Sequence, residues 1–321
     1  MTHFDVFNGD ADGICSLVQL RNHSPANSQL ITGVKRDIEL LDQVQATAGD
    51  QITVLDISME KNHSALLRVL DQGANVLYMD HHFAGDIPAN DRLKAVINEA
   101  ADTCTSILMN TYLKGAYCLW AITGAFGDNL QKSAGALAKS QNLDADTVTR
   151  LENLGIYINY NGYGSDLADL HFAPADLFHK VLPFASPLDF MTGAKEDFQK
   201  LEQGYHEDMS NAANLKPIQA TANSAVFVLP DLAWARRVSG VYSNDLANNN
   251  PDRAHAVLTE KANGNYLVSV RAPLTNKTGA VDLCRQFPTG GGRAAAAGIN
   301  DLPASMLEEF VQKLDAMYSA H

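Results

Sequence analysis

The chain has 321 residues, of which 46% are hydrophobic and 19% are charged. This composition is typical of a globular protein rather than a disordered one, and the length suffices for two domains with separate cores. The formal net charge of −13 argues against a surface that follows long DNA or RNA, because binding to the phosphate backbone requires basic stripes. A short nucleotide substrate held by a few local cations is compatible with this acidity.

The four cysteines have no paired spacing of the CxxC kind, and the amino terminus has no signal-type segment. Both features predict reduced thiols in a cytoplasmic protein. No stretch approaches the roughly 18 apolar residues that a membrane span requires, so no membrane partner is predicted.

Residues 1 to about 130 alternate short apolar strands with helical segments. This alternation predicts an α/β fold with βαβ units and a parallel sheet. The predicted strands are residues 3–7, 30–34, 52–56, 75–79 and 94–97, and the predicted helices are 14–22, 37–46, 63–71, 105–113 and 117–127.

Residues 131–215 are predicted to be mostly helical, with helices at 144–153, 174–182 and 194–214. A second pattern begins near Pro217, with predicted strands at 225–229, 254–259 and 266–270 and helices at 279–286 and 303–318. Asn263-Gly264-Asn265 is a hairpin turn signal between two of those strands. We therefore predict a larger domain at 1–195, a helical linker at 196–216 and a smaller α/β domain at 217–321.

Several apolar runs of the first half end in an acidic or imidazole side chain. A strand that stops at a carboxylate places it at the carboxyl edge of a parallel sheet, where α/β folds keep their sites. A single aspartate after a strand is more often a helix cap. Caps do not explain an Asp-His-His sequence after one strand together with Asp-Ala-Asp-Gly after another. The residues concerned are Asp10, Asp12, Asp56, Asp80, His81, His82 and Asp128.

Oxygen and imidazole ligands of this kind suit Mn²⁺ and Mg²⁺. The predicted ligands of two such ions are Asp10, Asp12, Asp56, His81 and Asp128. Two ions about 3.5–4 Å apart convert a bound water into hydroxide and neutralise charge on the attacked phosphorus. The predicted catalytic residues are His82 and its neighbour Asp80, with His82 placed to contact the phosphate or to protonate the leaving oxygen.

These motifs, with Gly127-Asp128-Asn129, resemble the four motifs of the DHH phosphoesterase superfamily. The stretch from Gly290 to Gly298 resembles the glycine-rich signature of the DHHA1 substrate domain, and the resemblance covers essentially the whole chain. It implies a phosphoesterase that depends on Mn²⁺ or Mg²⁺, as in RecJ-type exonucleases, short-oligoribonucleotide hydrolases and cyclic-dinucleotide phosphodiesterases.

The sequence departs from this family pattern at two positions. Many members carry a histidine ligand a few residues before the first aspartate, whereas this chain has Asn8 there and no histidine. Arg293 stands where the family usually has a histidine after the three glycines. The first departure predicts a first metal site that is weaker or that needs the substrate to complete it.

A glycine triplet lets backbone N–H groups approach a phosphate, and a helix predicted to begin at Arg293 would direct its positive end at it. A flexible loop is the alternative. The guanidinium of Arg293 suits a phosphate or a guanine edge. Ser269 and Arg271 resemble another DHHA1 contact element, for which a surface ion pair is the alternative. The predicted substrate-binding residues are Ser269, Arg271, Gly290, Gly291, Gly292 and Arg293.

The leading hypothesis is a metal-dependent phosphodiesterase of very short linear oligonucleotides, with pGpG as substrate and GMP as product. A general nanoRNase with phosphoadenosine-phosphate phosphatase activity is the second hypothesis, and a non-catalytic nucleotide-binding regulator is the third. The sequence does not distinguish Mn²⁺ from Mg²⁺ and leaves a homodimer open.

Overall fold

The computed structural model of the chain describes residues 1–319. It divides into two compact units, residues 1–205 and 206–321. The predicted α/β class, with a parallel first sheet and a second, smaller domain that carries its own sheet, is confirmed. The finer boundaries at 195 and 217 stay a prediction.

The first unit is built on a five-stranded, fully parallel sheet with the order β2-β1-β3-β4-β5. Apolar β1 and β3 lie in its interior, buried on both faces as parallel strands usually are. The strands are β1 (His3–Phe7), β2 (Ser28–Ile31), β3 (Gln51–Leu55), β4 (Asn75–Asp80) and β5 (Leu93–Ile97).

Helices cover both faces of this sheet and enclose two apolar cores. Helix α1 is buried along most of its length and packs against α3 and α4. The helices are α1 (Ala11–His23), α2 (His63–Asp71), α3 (Thr105–Tyr112), α4 (Cys118–Gly127), α5 (Gln131–Ser140), α6 (Ala145–Asn161), α7 (Pro174–Val181), α8 (Pro187–Gly193) and α9 (Lys195–Ala213). Helix α9 runs across the boundary between the units.

The second unit contains a six-stranded mixed sheet with the order β10-β11-β9-β8-β7-β6, in which only β7 and β8 pair in parallel. Its helices pack on this sheet around two further apolar cores. The elements are β6 (Gln219–Ala220), β7 (Ser224–Leu229), α10 (Ala233–Asn249), β8 (Ala254–Glu260), β9 (Tyr266–Arg271), α11 (Ala280–Cys284), β10 (Gly290–Gly292), β11 (Ala296–Leu302) and α12 (Leu307–Ser319).

The predicted helix at 37–46 is wrong, since only a 3-10 turn forms there, at Leu40–Gln43. The side chain of Asn62 replaces the helical hydrogen bonds. Its Oδ1 accepts from the backbone N–H of Leu41 at 3.1 Å, and its Nδ2 donates to the carbonyl of Ile38 at 2.6 Å. Bonds to a distant residue thus override the local preference.

The predicted helix beginning at Arg293 is also wrong. Residues 293–295 form a turn, and the alanines that follow belong to β11, which pairs with β9 and β10. Alanine-rich sequence favours helix locally, but strand pairing decides the structure here. Helix α10 was not predicted, because its serines, asparagines and Gly240 are poor helix formers.

All four cysteines, Cys15, Cys104, Cys118 and Cys284, are buried and free. Among residues 1–319, no helix has both the length and the apolar character that crossing a membrane requires.

Candidate metal centre

The carboxyl edge of the first sheet gathers the predicted ligands. Strands β1, β3 and β4 are adjacent and parallel, so their ends meet at the same edge. Asp56 directly follows β3, Asp80 is the last residue of β4, and Asp10 lies three residues beyond the end of β1. All three carboxylates are buried.

The carboxylates of Asp10 and Asp12 each accept hydrogen bonds from the start of a helix. Asp10 is the N-cap of α1, and its Oδ1 accepts from the backbone N–H groups of Asp12 at 3.0 Å and Gly13 at 3.1 Å. The Asp12 carboxylate accepts from the N–H groups of Thr105 and Ser106, each at 2.7 Å, at the start of α3. Both carboxylates thus accept backbone N–H groups at the start of a helix, and these bonds fix them at the edge.

Asp56 has a backbone φ of +60°, in the left-handed region that residues other than glycine rarely adopt. Its N–H donates to the carbonyl of Met79 at 3.1 Å, and its Oδ1 accepts from the hydroxyl of Thr105 at 3.0 Å. Neighbouring elements thus hold a strained conformation that turns the carboxylate into the site. Strain of this kind clusters at functional sites.

Asp128 is the residue after α4, at its C-cap. A carboxylate at that end of a helix is unfavourable, because the helix dipole is negative there. The acidic residue therefore does not stabilise the helix, and a function at the site explains it better.

The His81 side chain lies between three of these carboxylates. Its Nε2 is 3.4 Å from Asp56 Oδ1, 3.8 Å from Asp128 Oδ2 and 3.9 Å from Asp12 Oδ2. Ligand atoms that share one ion at about 2.1 Å lie roughly 3 Å apart when adjacent and about 4.2 Å apart when opposite. The three separations fall within this range, so each of these carboxylate oxygens is placed to share a divalent ion with His81. In two groups, Asp12-His81-Asp128 and Asp56-His81-His82, one ligand atom of each residue lies within 4.8 Å of the others.

Asp80 holds His82 rather than joining the ligands. Its Oδ1 lies 2.7 Å from His82 Nδ1, and that hydrogen bond raises the pKa of His82 despite partial burial. Asp80 Oδ2 is buried and finds no hydrogen-bond partner among residues 1–319. The pairing occupies Nδ1 of the half-exposed imidazole and leaves Nε2 available to a ligand.

The clustering of carboxylates raises two pKa values. Burial, together with the charges of Asp12 and Asp10, raises the pKa of Asp56 well above its usual range. The same causes raise the pKa of Asp128 to about 7, although Lys35 and His82 oppose them. A bound cation reverses such shifts because it favours the ionised form.

Lys35 and Asn159 were missed by the sequence reasoning. Lys35 Nζ lies 2.6 Å from Asp10 Oδ2 and 2.8 Å from Asn159 Oδ1. Burial opposes ionisation of Asp10, but the charge and hydrogen bond of Lys35 hold its pKa below the ordinary value. Asp10 is absent from the two potential ligand groups. No sequence motif places a lysine 25 residues away beside this carboxylate.

In the second unit the predicted Ser269 and Arg271 lie on one face of β9, and Arg271 Nη1 donates to Ser269 Oγ at 2.9 Å. Arg271 Nε donates to Asn244 Oδ1 at 2.8 Å, a contact that sequence reasoning did not predict. Burial and the positive charge of Arg293 lower the pKa of Arg271. The positive charges of the two guanidinium groups therefore repel each other. None of the contacts of Arg271 named here is with a carboxylate.

The glycine triplet forms strand β10 rather than a loop before a helix. A Cβ on Gly290 would lie 1.7 Å from the carbonyl oxygen of Cys284, so close packing explains that glycine. A Cβ on Gly291 would meet nothing within 4 Å. Its backbone is the part of the triplet that a ligand can approach.

No family model matches the sequence, and no curated protein matches it. Solved structures do match along the whole chain. A manganese-bound exonuclease RecJ has a TM-score of 0.65 at 14% identity, over 100% of this chain and 90% of that one. The pGpG-specific phosphodiesterase PggH from Vibrio cholerae has a TM-score of 0.61 at 15% identity, over 100% and 99%.

RecJ from Thermus thermophilus in complex with Mn²⁺ has a TM-score of 0.62 at 15% identity, and the match covers 100% of this chain and 52% of that one. The chain thus has a two-unit α/β fold with acidic and histidine side chains clustered at one sheet edge. The chain shares this fold with RecJ and PggH, and the fold that the sequence motifs implied is confirmed at this level.

Proposed function

We propose that the chain is a metal-dependent phosphodiesterase that hydrolyses very short linear oligonucleotides, with pGpG cleaved to GMP as the preferred reaction. The position of His81 Nε2, within 3.9 Å of oxygens from three aspartates, carries this proposal. A structural neighbour that is a pGpG-specific phosphodiesterase supports the choice of substrate.

In this proposal Asp12, Asp56, His81 and Asp128 would hold the catalytic divalent ion, for which Mn²⁺ is our choice. Such an ion supplies Lewis acidity toward the phosphoryl group and lowers the pKa of a bound water. Asp12 and Asp56 enter the site already fixed by hydrogen bonds from Thr105. These bonds reduce the reorganisation needed on binding.

His82 serves as the proton donor to the leaving oxygen. The raised pKa of His82 favours its protonated form, which a general acid needs. Asp80 fixes the ring through Nδ1 and so directs Nε2 outward. Its own second oxygen stays buried, which makes Asp80 a positioning residue in this scheme.

The second unit is proposed to bind the substrate through Ser269, Arg271, Arg293 and the backbone of the triplet at Gly291. The mutual repulsion of Arg271 and Arg293 supports an anion site, since a phosphate would relieve it. We assign residues 1–195 to catalysis and 217–321 to substrate binding. The net charge of −13 supports a short substrate, which needs only a few cations.

The test is hydrolysis of a substrate panel in Mn²⁺: pGpG, pApA, a pentanucleotide and phosphoadenosine phosphate. Wild type is compared with Asp56→Asn and with the control Asp71→Asn. Asp71 is an exposed carboxylate at the end of α2, next to the amino edge of the sheet. We expect rapid release of GMP from pGpG by wild type and Asp71→Asn, and loss of this activity in Asp56→Asn.

The panel also separates the alternatives. Equal cleavage of all short substrates would identify a general nanoRNase and reject the pGpG preference. Binding of dinucleotides without any cleavage would reject the enzyme and support a nucleotide-binding regulator.

A further inference from the structure

We infer that the ammonium group of Lys35 takes the place of one divalent ion, so that this centre binds one ion and not two. The inference rests on the proposed metal-dependent function. It departs from the two-ion expectation drawn from the sequence, and the surroundings of Asp10 carry it.

Both carboxylate oxygens of Asp10 are already engaged. Oδ1 accepts from two backbone N–H groups of the first turn of α1, at 3.0 and 3.1 Å. Oδ2 accepts from Lys35 Nζ at 2.6 Å, and Asp10 is only 3% exposed. An ion bound to Asp10 would therefore have to displace the ammonium from a buried, charge-assisted hydrogen bond.

The structure holds this ammonium from several sides. Its second acceptor is Asn159 Oδ1 at 2.8 Å, on α6. The backbone N–H of Lys35 donates to the carbonyl of Gly162 at 2.8 Å, and its carbonyl accepts from Asn8 Nδ2 at 3.2 Å. Lysine is usually a mobile side chain with high rotamer entropy. Here its backbone and its charged end are both fixed.

Asn8 is the residue that stands where many members of the resembled superfamily carry a histidine ligand. Its Nδ2 is used on the carbonyl of Lys35, and its Oδ1 accepts from the N–H of Asp10 at 3.2 Å. The two polar groups of the side chain are thus used within the protein. Asn8 therefore does not supply a ligand to a first ion, and its side chain holds the segment that contains Lys35 in place.

Close backbone approach brings this segment to the site. A Cβ on Gly9 would lie 2.0 Å from the carbonyl oxygen of Gly33, so only glycine allows the contact. The ammonium then stands beside the carboxylates that hold the remaining ion, and its charge disfavours a second cation there. The two potential ligand groups, Asp12-His81-Asp128 and Asp56-His81-His82, share His81, and neither of them includes Asp10.

The experiment counts bound Mn²⁺ in the full-length protein. Metal-free protein is titrated with Mn²⁺ while the free ion is followed by electron paramagnetic resonance, and elemental analysis after dialysis gives the stoichiometry. Wild type is compared with Lys35→Met, which removes the charge, and with Lys35→Arg, which keeps it. Lys35→Gln is a second neutral variant, and circular dichroism establishes that each protein is folded.

We expect one ion per chain and an uncoupled spectrum for wild type and Lys35→Arg. The neutral variants should gain a second ion, with a spectrum of two exchange-coupled ions. Two ions in wild type would overturn the inference, as would one ion in both neutral variants. No ion in wild type would overturn the proposed metal centre itself. One ion without any hydrolysis would reject the proposed reaction and leave the inference standing.

Discussion

The pKa of Asp128 gives a prediction that does not depend on substrate. In the metal-free protein, burial and the charges of Asp12 and Asp10 raise this pKa from its ordinary value of 3.8 to about 7. The folded protein therefore retains a proton on Asp128 that the unfolded chain has already lost. Stability must fall as the pH rises between these two values, because the folded state binds more protons. The perturbation that isolates this effect is Asp128→Asn, which cannot titrate.

The size of the effect follows from the shift. A rise of about three pKa units corresponds to roughly 4 kcal/mol, at 1.36 kcal/mol per unit. The side chain of Asp128 is 22% exposed, so most of this penalty is retained. Above pH 7 we expect metal-free Asp128→Asn to be more stable than wild type by up to about 4 kcal/mol. Near pH 4 the two proteins should be equally stable.

The assay is urea unfolding at a series of pH values, followed by fluorescence in a Trp234→Phe background so that buried Trp120 reports on the first unit. Titrating groups far from Asp128 cancel in the difference between the two proteins, whereas Asp56 and His82, whose pKa values the charge of Asp128 raises, contribute to it. His255, whose pKa burial and Arg253 lower to about 4, is present in both. A difference that stays constant from pH 4 to 8 would refute the reasoning. Excess Mn²⁺ should stabilise wild type more at pH 8 than at pH 5.5, because binding needs the ionised form.

Three further predictions concern single side chains. Asp80→Asn should lower kcat by about 10- to 100-fold, because His82 loses its orienting carboxylate, and it should leave the number of bound Mn²⁺ ions unchanged. An unchanged kcat in steady-state assays would contradict the positioning role of Asp80. Arg271→Gln should raise KM for pGpG about tenfold or more with little change in kcat, whereas a pure loss of kcat would place Arg271 elsewhere in the reaction. Gly9→Ala should cost at least about 1 kcal/mol in urea unfolding, while Gly135→Ala, an open site on α5, should be neutral or stabilising. Equal effects of the two alanines would reject the close-contact argument.

The first sheet could be predicted because its strands are short apolar runs with their own turn signals, and β1, β3 and β4 lie close to the predicted ranges. The two wrong helix predictions have a common cause. The segment near Leu41 and the alanines after Arg293 take their structure from partners distant in the chain, the amide of Asn62 and strand β9. A local pattern contains no information on such partners.

The features of the candidate site also fall into those that the sequence could predict and those that it could not. His81 and Asp56 could be predicted because each follows a buried strand, and parallel strands bring their carboxyl ends together. Thr105 begins the helix predicted at 105–113, but its hydrogen bond to Asp56 Oδ1 was not predicted. The supporting hydrogen bonds depend on where the start of α3 meets β3, which strand periodicity does not determine.

Lys35 shows how such a missing neighbour changes a chemical conclusion. From the motif alone, Asn8 weakens a first metal site because an amide is a poorer ligand than imidazole. In the structure the same asparagine holds the segment of Lys35, whose ammonium meets Asp10 at 2.6 Å. The asparagine that replaces a histidine ligand is therefore also the residue that fixes the segment of the Lys35 ammonium. A chain that keeps all its acidic motif residues can therefore bind fewer ions than those residues alone would predict.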